Sequence, residues 1–440
     1  MIQKNTIIKG AFVLTLTGVT TRFMGFFYRI FLSRAFGEES VGLYQLAFPV
    51  YALCFSLCAA GIETAIARST AAGRSQRDGS RTRAGLYSGF SLSLLLAFGL
   101  MLFIQKEAGS IALRFLGEPR CAPLLVILSL ALPFSVMHSC IYGYYIGRKH
   151  TKVPALSQLL EQAVRVGAVT LLYWFFMERS IETGIALAAA GIVAGEAAAA
   201  LYCLGNLRRA EDLSSQKRLP FGAYKKGLRE ILSLAVPLTG SRVLLNILQS
   251  VEAVSIPARL QSHGLSAGEA LSTYGVLTGM ALPCVLFPSA LTNSIATMLL
   301  PAVAEIQASG DIPAMKRVIK KVFFCCFSLG LLFCLALVVT GNLIGRLLFH
   351  SAAAGHFIIT LAWMCPFLYT NGCLLGILNG LGKTNISFAV NVSGLLLRIG
   401  SVFLLIPVIG IQGYLWGLLA SQAAVFALCL AYLRFFFFTL

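Results

Sequence analysis

Apolar residues run in blocks of twenty or more along the whole chain, and each block ends at a short cluster of charged or turn-forming residues. The blocks fall at about 6–32, 41–67, 84–105, 121–147, 153–177, 181–205, 231–257, 270–304, 318–342, 356–380, 384–407 and 411–433. That is the length a helix needs to cross a hydrocarbon layer of ~30 Å. A transmembrane barrel would instead show ~10-residue segments of alternating polarity. The pattern predicts an all-α membrane protein with about 12 transmembrane helices. The first block follows only Lys4 and Lys9 and lacks a small-residue cleavage site, so it is expected to be a retained helix.

The longest polar break, Asn206–Glu230, divides the blocks six and six. The expected organisation is an N-lobe (1–205, helices 1–6), a basic cytoplasmic linker (206–230) and a C-lobe (231–440, helices 7–12). The lobes resemble each other. A shift of 233 residues aligns PFSVMHSCIYGYYIGRKHTK (133–152) with PFLYTNGCLLGILNGLGKTN (366–385), and RVGAVTLL (165–172) with RIGSVFLL (398–405), without a gap. Six spans is an even number, so both halves enter the membrane from one side and are related by a pseudo-two-fold axis along the membrane normal. Such a parallel repeat predicts a central cavity and rocking between inward-open and outward-open states. The competing reading is a duplicated bundle with no transport role. Prolines 49, 133, 237, 283, 288 and 366 lie within blocks and should bend their helices.

Composition agrees with the pattern: 58% hydrophobic residues, 12% charged and a mean hydropathy of +0.82. The formal net charge of +18 would point to nucleic acid in a soluble chain, but its placement follows topology. With both termini in the cytoplasm, the inside segments hold 23 Lys and Arg and the outside loops seven, the positive-inside asymmetry expected for that orientation of a multi-pass membrane protein. Nucleic acid is therefore not expected as a partner. The twelve cysteines show no CxxC pair and no Cys/His cluster, so no disulfide or metal site is expected.

Charges left inside the blocks carry the candidate chemistry, because each costs at least ~2.5–3.5 kcal/mol there. They are Arg22, Arg29, Arg165, Arg242 and Arg398, with Glu63, Glu161, Glu196 and Glu252. Arg22 and Arg29, two turns apart, share a helix face. A cavity position is expected for Arg22; Arg29 fits either a cavity or snorkelling to the outer headgroups. Glu161 and Arg165 form an i,i+4 pair, read as structural or as switchable in a polar cavity, and Arg398 repeats Arg165 after the shift. Arg242 and Glu252 share a face of the seventh helix, and Arg242 has no acid one turn away, leaving it suited to a ligand. His138 is read as a hydrogen-bonded core residue rather than a proton relay. A first span bearing arginines and no acid favours an anionic ligand, because guanidinium matches phosphate and carboxylate oxygens. An inside-negative potential then favours export of that anion.

The stretch GFFYRIFLSRAFGEESVGLYQLAFPVYALCFSLCAAGIETAIA (25–67), with Arg22, Tyr28-Arg29-Ile30, Arg34, Gly37 and the GLYQLAFPVY block, and LNGLGKTN (378–385), resembles the stage V sporulation protein B-like proteins. These belong to the polysaccharide-transporter branch of the multidrug/oligosaccharidyl-lipid/polysaccharide (MOP) flippase superfamily, related to the lipid II flippase. The resemblance implies a MATE-like fold and export of an undecaprenyl-diphosphate-linked oligosaccharide, such as a peptidoglycan precursor in cell-wall or spore-cortex synthesis. By position, Arg22 and Arg29 match first-helix arginines that the family places at the cavity; Arg242 is inferred from its helix alone. Two departures stand out. Glu63 replaces an expected proline, and twelve spans replace the fourteen of many relatives, so the place of the lipid tail stays open.

The expected substrate-binding residues are thus Arg22, Arg29 and Arg242. Glu63, Glu161, Arg165, Glu196, Glu252 and Arg398 are cavity or coupling candidates. No catalytic residue, metal or cofactor is expected beyond coupling to the membrane potential, Na+ or H+. Partners would be the lipid-linked saccharide, membrane lipids and cell-wall synthesis proteins. The alternatives are export of another polysaccharide repeat unit and a cation-coupled drug antiporter of the same fold, which usually carries an acid in its first helix. A membrane enzyme would need paired carboxylates on a sizeable outer loop, and only Glu38-Glu39 and Glu178/Glu182 come near that.

Overall fold

The computed structural model describes residues 2–76, 78–178, 184–209, 220–309 and 311–438. Arg77, Arg179, Glu182 and residues 210–219 of the expected linker lie outside them. The described residues are almost entirely helical, with no strand among them.

Ten helices are long and apolar enough to cross a membrane, and a bent pair, Ala352–Ala362 with Cys365–Gly380 at 56°, makes eleven. The first of them, Val13–Ser75, is 63 residues long, about three times what a hydrocarbon layer needs at ~1.5 Å per residue. Gly37 breaks it with φ 78° and ψ 172°, a conformation open to glycine because it has no Cβ. The break falls between the first two expected spans. Ends of helices carry the side chains that satisfy orphaned backbone groups. Asp78 accepts from Ser80 N and Arg81 N, Asp311 from Ala314 N and Ser351 from Ala354 N, while Ser266 and Glu269 form a reciprocal capping box.

The chain packs as two compact units, residues 1–28 with 43–250 and residues 29–42 with 251–440. The first contains most of α1 (Ile2–Phe55), α2 (Gly61–Ser75), α3 (Gly79–Ser110), α4 (Ala122–Gly147), α5 (Lys152–Glu178), α6 (Ala186–Arg208) and the first part of α7 (Phe221–Ser262). At its centre is α4, which packs on α2, α3, α5 and α6. Leu125, Leu128, Leu132, Ile141 and Tyr144 of α4 are fully buried. Pro133 is accommodated inside this helix, where neighbouring helices take over the lost backbone bond.

The second unit holds the rest of α7, then α8 (Ala267–Gly275), α9 (Leu282–Leu286), α10 (Ser289–Ser309), α11 (Ile312–Phe349), α12 (Ala352–Ala362), α13 (Cys365–Gly380), α14 (Thr384–Leu404), α15 (Ile406–Ile409) and α16 (Ile411–Phe438). Its central helix is α13, against α10, α11 and α16, with Tyr369, Cys373, Leu374 and Ile377 buried. α4 and α13 are the two segments that the 233-residue shift aligns, so each copy of the repeat places the same helix at its core.

The division does not follow chain order. Residues 29–42 of α1 belong with the second unit, and residues 221–250 of α7 with the first. Within the second unit, Gly42 and Gly275 let α1 and α8 touch: a Cβ at Gly42 would strike the Leu271 carbonyl, and one at Gly275 the Glu38 carbonyl. Arg34 donates to the Leu347 and Leu348 carbonyls, satisfying two of the free acceptors at the end of α11.

Candidate functional site

The buried charges of the first unit gather between α4, α5 and α6. His138 Nδ1 lies 3.3 Å from Glu196 Oε2 and 4.0 Å from Glu161 Oε2, and its Nε2 lies 3.0 Å from Ser157 Oγ. Arg165 donates to Glu161 Oε1, the i,i+4 pair expected from spacing. The four side chains are 10–18% exposed. His138 is hydrogen-bonded and buried, as expected, but its partners are carboxylates from two other helices.

The second unit has a smaller counterpart. Arg398 Nε donates to Glu252 Oε1 at 2.7 Å, and Tyr414 donates to the same oxygen at 2.6 Å. Glu252 is 3% exposed. Its partner is therefore Arg398 on α14, although Arg242 shares its helix face. One arginine and one glutamate balance, so this group is electrically neutral.

Glu63 stands in the first turn of α2, directly after the π-helical turn Ser56–Ala60. Its Oε2 accepts from Ser139 Oγ at 2.6 Å, and it feels the charge of Arg242. One turn along α7, Asn246 donates to Ser56 Oγ at 2.5 Å, which fixes that face of α7 on the start of α2.

Arg22 and Arg242 belong to the first unit and are exposed at its surface. Arg29 belongs to the second, is half-buried, and donates from Nη1 to the Thr278 carbonyl at 3.0 Å. Thr278 lies in the π-helical turn Val276–Ala281, where wider winding frees carbonyls from their usual partners. Part of the Arg29 guanidinium is thus committed to backbone.

His138, Glu161 and Glu196 also place ligand-type atoms within 4.8 Å of one another, the one such group among the described residues. Arg165 on one of those carboxylates sets a fixed positive charge against any metal ion there, so the group suits a proton better than a divalent cation. Sequence reasoning undervalued His138 and missed Tyr414 and Ser157. The available signal was polar residues inside predominantly apolar blocks.

Chemically, these groups can balance charge, move protons and bind anions; Ser157, His138 and Glu196 follow one another as hydroxyl, imidazole and carboxylate, but Ser157 is fully buried and also bonded to the Pro154 carbonyl, unlike an accessible nucleophile.

Residues 7–307 match the model of the polysaccharide biosynthesis protein family. The chain is 28% identical to stage V sporulation protein B of Bacillus subtilis (strain 168) over 93% of this chain and 80% of that protein. It is 24% identical to the lipid II flippase MurJ of the same organism, over 72% of this chain and 61% of that protein. Among solved structures, an inward-facing multidrug resistance MATE family transporter of the MOP superfamily superposes with a TM-score of 0.74 at 14% identity, covering 98% of both chains. The fold is that of the MOP transporters, and the chain belongs to the polysaccharide biosynthesis protein family.

Proposed function

We propose that this protein is a flippase that exports an undecaprenyl-diphosphate-linked oligosaccharide, a peptidoglycan precursor such as lipid II being the favoured substrate. Arg242 carries the reading. It sits in the apolar run of α7, is exposed on the first unit, and has no hydrogen-bond or ion-pair partner among the described residues. A guanidinium kept there is costly unless a ligand offsets it, and the diphosphate of a lipid-linked saccharide is an anion it fits in two-pronged fashion. Arg22 and Arg29 are the further headgroup ligands in this reading. Relatives that include a lipid II flippase support the substrate class, and the positive-inside charge pattern supports cell-membrane placement with both termini cytoplasmic.

No covalent step is involved. The headgroup enters from the inner leaflet, is held by arginines, and leaves outward as the lobes rock. The membrane potential contributes ~2.3 kcal/mol per charge per 100 mV to outward movement of the anion.

The test is replacement in a bacterium depleted of its own lipid II flippase. Expression of this chain should restore lipid II accessible from outside, and Arg242→Ala or Arg22→Ala, at equal membrane level, should abolish most of the restoration. Unrestored accessibility with an inserted wild-type chain would move the substrate to another lipid-linked glycan.

A further inference from the structure

The two buried charge groups differ by one unit of charge. In the second unit Arg398 balances Glu252. In the first, Arg165 faces two carboxylates, Glu161 and Glu196, leaving one negative charge over unless His138 is positive. The 233-residue shift puts Asn371 at the place of His138 and Gly394 at that of Glu161, so the surplus acid and the imidazole are both particular to the first copy. A buried carboxylate without a counter-charge is costly enough that the cluster must take up a cation or reorganise.

Hydrogen-bond geometry says which cation. Ser157 Oγ lies 2.9 Å from the Pro154 carbonyl, an acceptor for its one proton, and with the proton there a lone pair faces His138 Nε2 at 3.0 Å. Nδ1 faces carboxylate oxygens at 3.3 and 4.0 Å. Both ring nitrogens therefore meet acceptors, and an imidazole that donates twice is an imidazolium. A metal ion would instead need a ring lone pair.

We propose that His138 is the binding site for a single proton, held at Nδ1 by Glu196 and Glu161, and that its uptake and release switch the first unit between two arrangements. Release breaks the Nδ1–H bond, passes the proton to water and leaves a neutral ring whose lone pair points at two carboxylates. That arrangement is repulsive, so the cluster rearranges. The groups for the second arrangement are in place. Tyr28 is 6% exposed, and among the described residues neither its hydroxyl nor Arg165 Nε has a hydrogen-bond partner. Tyr28 Oη and the Arg165 carbonyl lie 3.6 and 3.3 Å from one point, where Gly191 would carry a Cβ. With the proton gone, Arg165 is drawn between Glu161 and Glu196, and the Tyr28 hydroxyl is a spare donor near Arg165. The charged groups acting on His138 are Glu196 from α6, Glu161 from α5 and Glu63 from α2, with Arg165 beyond Glu161. Tyr142 stands edge-on from its own helix, and α3 contributes none of the groups that act on it. On the reading of the protein as a flippase, this proton is the ion exchanged in the transport cycle.

The chain has five histidines, so ring-15N-histidine spectra of the purified full-length protein in detergent resolve the question, with His138→Gln identifying the signal. At neutral pH the His138 signal should show both nitrogens protonated, whereas in Glu196→Gln it should be a neutral tautomer. A neutral His138 in the wild type at neutral pH overturns the proposal. So does a signal that moves when sodium replaces choline at constant pH, which would make this a metal-cation site. In proteoliposomes, wild-type transport of lipid II should follow an imposed pH gradient and that of Glu196→Gln should not. Gradient-independent wild-type transport overturns the exchange role. No transport at all counts against the flippase reading and leaves the proton site to be decided by the spectra.

Discussion

Arg398 and Glu252 show what a buried charge costs at the scale of one residue. The pair is nearly dry, with Glu252 also holding the Tyr414 hydroxyl. Arg398→Ala leaves a carboxylate buried without its counter-charge, and breaking such a pair costs ~3–5 kcal/mol. Thermal unfolding of the purified protein should show that loss, and adding Glu252→Gln should recover most of it, since an amide oxygen still accepts from Tyr414. Equal stability of Arg398→Ala and wild type would mean that water reaches the pair. Glu118 behaves differently because it lies between the third and fourth spans. Arg120 side-chain hydrogen bonds, foremost, hold its carboxyl below the usual carboxylate range. A depressed folded-state pKa stabilises above the unfolded value of ~4.3 and stops doing so as pH falls through the folded value. Glu118→Gln should therefore lower stability at neutral pH by no more than about 1 kcal/mol, Arg120 being half-exposed. The difference from wild type should vanish in acid; one that persists at pH ~3 would point to the backbone cap at Arg120 N instead.

Elements show which features can be read from a linear pattern. Span number and the repeat were legible because apolar length and a gapless shift are local properties, and α4 and α13 do occupy matching central positions. The Glu161–Arg165 pair was legible because i,i+4 spacing is periodic. The Arg398–Glu252 pair joins residues 146 apart, and the His138 cluster joins three helices, so no spacing announces either. Least legible was α1, where the polar break between the first two blocks does not reveal that residues 29–42 pack with the second unit. The contact that secures this stretch rests on Gly42 and Gly275, where each backbone approaches the other too closely for a Cβ. Gly42→Ala should lower stability by ~1–3 kcal/mol through overpacking, whereas the same change at Gly25, with nothing within 4 Å of its Cβ position, should not. Similar unfolding temperatures for both variants would show that α1 and α8 are free to separate.

For the whole molecule, charge is sorted by depth. Paired and hydrogen-bonded acids sit inside the units, basic residues crowd the segments expected in the cytoplasm, and Arg22 and Arg242 stay exposed within the apolar stretches of α1 and α7. On the flippase reading proposed above, such sorting suits carriage of an anion. The most direct measurement is the rate at which the purified protein, in liposomes, moves fluorescent lipid II from one leaflet to the other. Wild type should exceed protein-free liposomes, and Arg242→Ala should fall at least about tenfold, the loss of ~1.4 kcal/mol or more of headgroup interaction. Wild-type protein that moves lipid II no faster than the bare bilayer, or an Arg242→Ala variant that moves it equally well, would contradict the arginine-held flippase described here.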